Sequence, residues 1–359
     1  MTSAAAEPAD VVFAGTKPVE ERHRFDEAAL DGWMNAHVEG YAGPLTVRQF
    51  KGGQSNPTYR LDTPGRAYVL RRKPFGPLLP SAHAVDREFR VISALHAVGF
   101  PVATPYGLCR DEGVIGAVFY VMGMVEGRVF WDATLPGSDP AERRAVFEAK
   151  IETLARLHSY DPEAIGLGDY GKPGNYFARQ IDRWTKQYRA SETETVPAMD
   201  RLMEWLPTTV PVQERTAVVH GDYRIDNMIF ALGEPRVLAV LDWELSTLGD
   251  PLADFSYLLM QWAMPADGRS GLAGLDHAAL GIPTVPEAVA LYCRLTGRDS
   301  LPNLDWYFAY NLFRFAGILQ GIAGRVRDGT AASPQAMEYG RRVKPLAEAA
   351  WTYAKKAGA

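Results

Sequence analysis

The sequence predicts an α+β fold, with a small antiparallel sheet and one helix first and a larger, mainly helical region after it. Up to about residue 123, most segments are short, rich in β-branched and aromatic residues, and separated by Gly or Pro. From about residue 124, apolar residues recur at the three- and four-residue spacing of helices. The 359 residues suffice for two domains at about 150 residues each.

The first region begins after residues 1–20, which are small and polar and are predicted to form a flexible tail. Helical spacing is found near 26–38 and again near 83–98. Segments with strand character lie near 45–50, 58–63, 67–73, 102–109 and 114–122. We place the domain boundary between residues 123 and 124, so that the two domains span 21–123 and 124–359.

The second region is helical on both sides of a short island of strands. Its clearest helical segments are 141–158, 175–188, 201–206 and 305–326. The island contains three apolar strands, near 217–220, 227–230 and 237–242. The last two are joined by a turn and are predicted to form a hairpin.

Composition excludes several classes of protein. The net charge of −5 disfavours a protein that wraps nucleic acid through phosphate contacts. Two cysteines without a CxxC motif are typical of a reducing compartment. The N-terminus lacks the features of a signal peptide, and the longest apolar run, 114–125, is shorter than the ~20 residues that span a bilayer. We therefore expect a cytoplasmic protein without nucleic-acid or membrane partners.

The candidate catalytic residues surround the predicted hairpin. Residues 220–227 read HGDYRIDN, and the next apolar strand ends in Asp242. An Asp, four residues and then an Asn, placed between two apolar strands, is typical of a phosphoryl-transfer loop. Asp222 is the candidate base, and Arg224 could reach the transferred phosphate. Asn227 starts one strand of the hairpin and Asp242 ends its partner strand, about 4.8 Å away, so both could bind one Mg²⁺.

These motifs, together with GDPLAD at 249–254, resemble the aminoglycoside phosphotransferase-like kinases. The similarity covers most of the chain and is closest to the subfamily found fused to acyl-CoA dehydrogenases. It implies a protein-kinase-like two-lobed fold, with a nucleotide-binding lobe at 21–123, a catalytic and acceptor-binding lobe at 124–359, and ATP and Mg²⁺ as cofactors. It assigns Asp222 as base and Asn227 as a metal ligand, and Asp242 stands at the position of the second ligand.

The resemblance also implies nucleotide contacts in the first lobe. The Gly-rich loop at 52–57 would close over the phosphates through backbone N–H groups, including that of Gly53, and the hydroxyl of Ser55. Arg71 occupies the position of the phosphate-binding lysine, with Lys73 as the second choice. Glu88 is the candidate ion-pair partner of Arg71. Two alternatives remain open: Glu88 could lie on a solvated helix face, and Arg71 could be an exposed charge on its strand.

The remaining motifs receive structural interpretations. The resemblance implies a hinge at residues 122–124, where Met122 and Met124 would offer backbone groups to adenine. Asp254 is expected to hydrogen-bond the catalytic loop, and His158 is expected to be a core histidine.

The acceptor is predicted to be a small molecule with a hydroxyl group. Residues 261–359 carry a net charge of +3 and the rest of the chain −8, which favours an anionic acceptor over a polycationic one. The fusion partners of the subfamily suggest a hydroxyacyl-CoA, and basic residues at helical spacing could meet its phosphates: Arg179, Arg183 and Lys186. The alternatives are an aminoglycoside antibiotic kinase and a nucleotide-binding pseudokinase.

Overall fold

The computed structural model describes residues 15–51, 56–75, 83–266, 269–328 and 339–359. Contacts divide the chain into two units. The first contains the residues up to 137 together with 165–167 and 224–246. The second contains 138–164, 168–223 and 247–359.

The first unit is built on a six-stranded antiparallel sheet with the order β1-β2-β3-β4-β6-β5. Its strands are β1 (Thr16–Lys17), β2 (Thr46–Phe50), β3 (Thr58–Asp62), β4 (Ala67–Arg72), β5 (Pro105–Cys109) and β6 (Phe119–Gly123). Strand β4 is paired on both edges and is buried from its second residue to its last. A charged residue on β4 is therefore held in a rigid, dry environment.

Within the described residues, two helices pack against this sheet. Helix α1 (Glu27–His37) buries Leu30 and Met34 in the sheet's apolar core. Helix α2 (Val85–Ala97) is amphipathic, and Gly99 ends it in the left-handed conformation, φ +74°. Glu88 falls on the buried face of α2, three residues after Val85 and four before Ile92.

A hairpin, formed by β8 (Met228–Phe230) and β9 (Val237–Val240), completes the first unit. It is joined to the segment that follows β6 by two backbone hydrogen bonds between Arg128 and Phe230, one in each direction and each 2.8 Å long. Its far end is anchored by Val240, whose N–H donates to the carbonyl of Pro101 at 2.9 Å. The hairpin and the sheet therefore belong to one packed body.

The second unit is mainly helical. Its described helices include α3 (Pro140–Ser159), α4 (Tyr176–Ser191), α5 (Pro197–Trp205), α6 (Leu252–Leu259), α7 (His277–Leu280), α8 (Val285–Thr296), α9 (Leu304–Arg327) and α10 (Val343–Lys356). Helix α9 buries most of its residues and packs against α4, α6 and α10. Strand β7 (Ala217–Val219) pairs antiparallel with β10 (Thr247–Gly249).

The predicted fold class is confirmed by this antiparallel sheet and helical unit. The strand predicted at 114–122 begins only at Phe119, because Gly116 adopts φ +80° in a turn. Strand β1 lies within the segment predicted as a tail, where it pairs with β2. None of the described helices combines the length and the low polarity that a bilayer crossing requires.

Candidate active site

A cavity of about 560 Å³ lies within the first unit. One wall consists of β4 and β6, and another consists of the hairpin β8–β9. The segment that leaves β6, residues 122–127, closes one side. The cavity is lined largely by apolar side chains, with a few charged groups, which is the usual character of a small-molecule site.

Arg71 is the central charged group of this cavity. It lies on β4 opposite Tyr120 of β6. Its Nε lies 2.9 Å from Oε2 of Glu88, and its Nη2 lies 2.7 Å from Oδ1 of Asp242 and 3.4 Å from Oε2 of Glu244. We refer to these four residues as the Arg71 cluster.

The Arg71 cluster holds three carboxyl groups around one guanidinium. Burial by itself would lower the pKa of Arg71, but the surrounding carboxylates outweigh it, so this pKa lies above the ordinary value of an arginine. Burial raises the pKa of Glu88 to about 7, and the other two carboxylates act in the same direction against the charge of Arg71. The hydroxyl of Tyr120 donates to Glu88 at 3.2 Å. Arg71 is thus a fixed cation, and the carboxyl beside it titrates near neutral pH.

Asn227 and Asp242 lie at adjoining ends of the hairpin strands. A single 3-10 turn, Ile225–Asn227, leads into β8, and the N–H of Leu241 donates to the carbonyl of Asn227 at 2.8 Å. Asp242 adopts the left-handed conformation, with φ 63° and ψ 63°. A non-glycine residue held in this region is under backbone strain, which is common at functional sites. The side chain of Asp242 is 35% exposed, so it can reach a ligand.

The other predicted nucleotide contacts are placed as follows. Met122 and Met124 both line the cavity. The N–H of Met124 already donates to the carbonyl of Ala67 at 3.2 Å. Gly53 and Ser55 lie outside the described residues. Lys73 lies just beyond the end of β4, where its N–H donates to a backbone carbonyl.

Arg224 lies in the first unit, close to Asp226. Its Nη2 is 3.3 Å from Oδ2 of Asp226. The side chain of Arg224 is 38% exposed, and Asp226 lines the cavity.

Asp222 lies in the second unit, on the loop that follows β7. Helix α6 holds this loop through Asp254, whose carboxylate accepts the N–H groups of His220 at 2.5 Å and of Gly221 at 2.8 Å. The hydroxyl of Tyr257, one turn further along α6, donates to Oδ1 of Asp222 at 2.8 Å. The side chain of the candidate base is therefore held by a buried helix.

Asp254 and His158 have the structural positions that the sequence predicts. Both are buried, and Nε2 of His158 lies 3.5 Å from Oδ2 of Asp254. Burial by itself would raise the pKa of Asp254, but His158, His220 and the N–H of Gly221 outweigh it, so the pKa is lowered. The ionised carboxylate is the form that can accept the two N–H groups of the loop.

Three residues of these networks were not among the predicted site residues. Asn56 donates to Glu88 at 2.9 Å, Glu244 joins the Arg71 cluster, and Tyr257 contacts Asp222. Glu244 has a sequence signal, because it lies two residues after Asp242. Asn56 and Tyr257 have none, since their contacts depend on packing between distant segments.

The basic residues that could meet the phosphates of a CoA ester lie on α4, where they largely make local contacts. Arg179 donates to the carbonyls of Lys172 and Gly174, and Lys186 pairs with Asp182 at 2.8 Å. Arg183 lies over the ring of Trp184, 5.5 Å from its centroid.

The model of the phosphotransferase enzyme family matches residues 46–292, more than half of the chain. This chain is a member of that family. Membership establishes the phosphotransferase class and supports a small-molecule kinase.

Among curated proteins, the phosphotransferase is similar to acyl-CoA dehydrogenase family members. It is 44% identical over 354 residues to member 10 of Mus musculus, covering 98% of this chain and 33% of the relative. It is 45% identical over 347 residues to member 11 of Gallus gallus, covering 94% of this chain and 44% of the relative. The chain thus spans less than half the length of these relatives. The predicted relationship to acyl-CoA dehydrogenase fusions is confirmed.

Solved structures agree with the fold. A crystal structure of a Ralstonia eutropha JMP134 protein, assigned as an aminoglycoside phosphotransferase, is 56% identical with a TM-score of 0.86, covering 93% of this phosphotransferase and 99% of that chain. Macrolide 2'-phosphotransferase of Brachybacterium faecium is 18% identical with a TM-score of 0.58, covering 89% and 97%. At this lower identity the likeness shows the fold alone.

Proposed function

We propose that this phosphotransferase transfers the γ-phosphoryl group of ATP, with Mg²⁺, to a hydroxyl group of a small metabolite. The observation that carries the proposal is the position of Arg71, a cation on the cavity wall whose guanidinium forms ion pairs with Glu88 and Asp242. A guanidinium presents several N–H donors in a planar fork, which suits the oxygens of α- and β-phosphates. Glu88 holds the fork in place from the side of helix α2.

The residues of the hairpin ends fit a magnesium ion. Asn227 and Asp242 supply an amide and a carboxylate oxygen, and hard oxygen donors are what Mg²⁺ prefers. Over the described ranges, no group of three or more His, Cys, Asp or Glu is arranged to hold a metal. Mg²⁺ in kinases needs fewer, because phosphate oxygens and water complete its shell. When bound, the ion would neutralise charge on the phosphates.

The chain's own residues supply the other roles. Asp222 orients the acceptor hydroxyl and accepts its proton, as a carboxylate does in phosphoryl-transfer enzymes. Arg224, partly exposed beside Asp226, meets the transferred phosphoryl group. The base of ATP occupies the apolar part of the cavity, against the backbone of residues 122–125. Because the N–H groups of Gly123 and Met124 are engaged by the sheet, we expect that of Val125 and nearby carbonyls to bind adenine.

For the acceptor, we propose a hydroxyacyl-CoA. The curated relatives are named as acyl-CoA dehydrogenase family members, so an acyl-CoA is a substrate class that a joined kinase could share. The alternative, an aminoglycoside, is supported by the assignment of the Ralstonia protein. Arg314 weighs against it: this guanidinium is only 7% exposed and interacts electrostatically with Asp222. A permanent positive charge near the base disfavours a polycationic acceptor.

The test is ADP release from Mg·ATP with a panel of hydroxyacyl-CoAs, hydroxy acids and aminoglycosides. We expect turnover with a hydroxyacyl-CoA and a loss of at least 10³-fold in Asp222→Asn. The control is Asp299→Asn, the same change at an exposed position, which should keep wild-type activity. Binding of Mg·ATP without transfer to any acceptor would indicate a pseudokinase, and turnover with aminoglycosides alone would replace the proposed acceptor.

A further inference from the structure

The side chains of the second unit that hold the loop carrying Asp222 include Asp254, Arg314 and Tyr257. Asp254 accepts the backbone N–H groups of His220 and Gly221, and Arg314 of α9 donates to the carbonyl of Gly221 at 2.5 Å. These contacts fix the backbone. The third contact, from Tyr257 to Oδ1 of Asp222 at 2.8 Å, reaches the carboxylate itself.

We propose that Tyr257 is a positioning residue of the phosphoryl transfer, a role that rests on the proposed function of Asp222. A carboxylate rotates readily about its terminal torsion, so backbone contacts alone leave its two oxygens interchangeable. The phenol hydroxyl of Tyr257 binds one oxygen, Oδ1. The other oxygen, Oδ2, is then presented to the acceptor hydroxyl in one orientation, and it accepts the proton.

Tyr257 is itself held in place. It is 7% exposed, and the guanidinium of Arg314 lies over its ring at 5.1 Å from the centroid. The same guanidinium lies 5.7 Å from the centroid of Trp184 on α4. Arg314 is equally buried. Its guanidinium contacts both rings and donates to the carbonyl of Gly221, which restricts the rotation of its side chain. A donor that cannot move orients its acceptor more strictly than a mobile one.

The described surroundings of Asp222 include two groups that favour a negative charge on it, Arg314 and Tyr257. The positive charge of Arg314 favours the ionised carboxylate, as does the hydrogen bond from Tyr257. The N–H of Asp222 donates to Nδ1 of His220 at 3.2 Å, so this imidazole nitrogen acts as an acceptor toward the loop. Removal of the Tyr257 hydroxyl therefore takes away one of the groups that keep the base ionised.

The test compares Tyr257→Phe with Tyr188→Phe. Tyr188 is a matched control because its hydroxyl is also buried and has no hydrogen-bond partner within the described ranges. ADP release from Mg·ATP is measured with 3-hydroxybutyryl-CoA and with water as acceptors. We expect Tyr257→Phe to lower kcat 10- to 100-fold, to leave the KM for ATP within 2-fold, and to move the acid limb of the pH profile to higher pH. We expect Tyr188→Phe to match the wild type.

The outcomes separate the two proposals. If the wild type turns over, Asp222→Asn does not, and Tyr257→Phe keeps the wild-type kcat and pH profile, the positioning role is wrong while the kinase proposal stands. If the wild type transfers to none of the acceptors, both proposals fall. Should Tyr257→Phe lose its cooperative thermal transition, Arg314→Lys takes its place, because it keeps the charge but loses the planar stack over Tyr257. We then expect the same fall in kcat and the same direction of pH shift, and their absence overturns the inference.

Discussion

At the scale of single residues, the Arg71 cluster sets the charge balance of the cavity. Three carboxyl groups share one guanidinium, so the cluster keeps a net negative charge even when one carboxyl is protonated. Glu88, the most buried of the three at 1% side-chain exposure, is the group that takes up the proton. The phosphates of a nucleotide would add still more negative charge, which is why a cation is needed with them.

The raised pKa of Glu88 predicts a pH dependence of stability. In the unfolded chain its pKa is near 4.5, and in the folded protein it is about 7. Between these values the unfolded state releases a proton that the folded state keeps, so this group's contribution to stability is present below pH 4.5 and is lost as the pH rises to 7. The loss is about 3 kcal/mol.

The measurement is urea unfolding of the wild type and Glu88→Gln from pH 4.5 to 8. We expect the variant to gain about 3 kcal/mol relative to the wild type across this window, because glutamine does not ionise. A difference between the two proteins that stays constant with pH would show that Glu88 keeps an ordinary pKa.

The residue pair at the centre of this cluster could be predicted, whereas its additional partners could not. Arg71 lies on an apolar strand, and Glu88 lies on the apolar face of an amphipathic helix. Asn56 and Glu244 join them only because the hairpin and the end of the Gly-rich loop pack against α2. Such packing between distant segments leaves no periodic signal in the sequence.

At the scale of elements, the hairpin β8–β9 is docked through a close backbone approach at Gly127. A Cβ at this position would collide with the carbonyl oxygen of Phe230 and would lie 2.6 Å from Cγ2 of Ile229. The neighbouring residue, Arg128, makes the two backbone hydrogen bonds with Phe230. Only glycine allows the segment after β6 to lie this near β8.

We therefore expect Gly127→Ala to destabilise the protein by about 1–3 kcal/mol, since the backbone must shift to relieve the overlap. Gly65→Ala is the control, because a Cβ there meets open space, and its effect should stay within about 1 kcal/mol. Denaturant unfolding of both variants gives the comparison. Equal stability of the two would mean that the segment moves freely relative to β8.

The sequence predicts the hairpin correctly but misplaces the start of β6. Strands 227–230 and 237–242 have apolar runs bounded by a Gly-Glu-Pro turn, and both are found. The apolar run from 114 to 122 looks equally continuous, yet its first residues form a turn around Gly116. Hydrophobicity alone does not distinguish a buried turn from a buried strand, whereas the positive φ of a glycine does.

At the scale of the whole molecule, the first unit is assembled from separate parts of the chain. Residues 224–246 come after the first helices of the second unit in the sequence, yet they belong to the first unit, together with the sheet. They bring Asp242 and Glu244 to Arg71, and Trp243 packs edge-on against Phe100 with centroids 6.0 Å apart. The contact-based units therefore interleave along the chain, and the predicted division at 123/124 stays a prediction.

A fragment of residues 1–137 is therefore expected to lack a stable fold. Without 224–246, Arg71 loses its contacts with Asp242 and Glu244, and one wall of the cavity is missing. Joining residues 224–246 to the fragment through a long Gly/Ser linker should restore a cooperative thermal transition. Circular dichroism melting of both polypeptides is the measurement. A fragment that unfolds as cooperatively as the joined form would show that the hairpin is dispensable.

The same interleaving affects how the protein is made. The sheet leaves the ribosome first, but the hairpin that covers its cavity emerges roughly 110 residues later. At about 5–20 residues per second, this delay is on the order of 5–20 seconds. During that time the apolar lining of the cavity faces solvent, so the nascent chain offers a binding surface for chaperones that the finished protein no longer has.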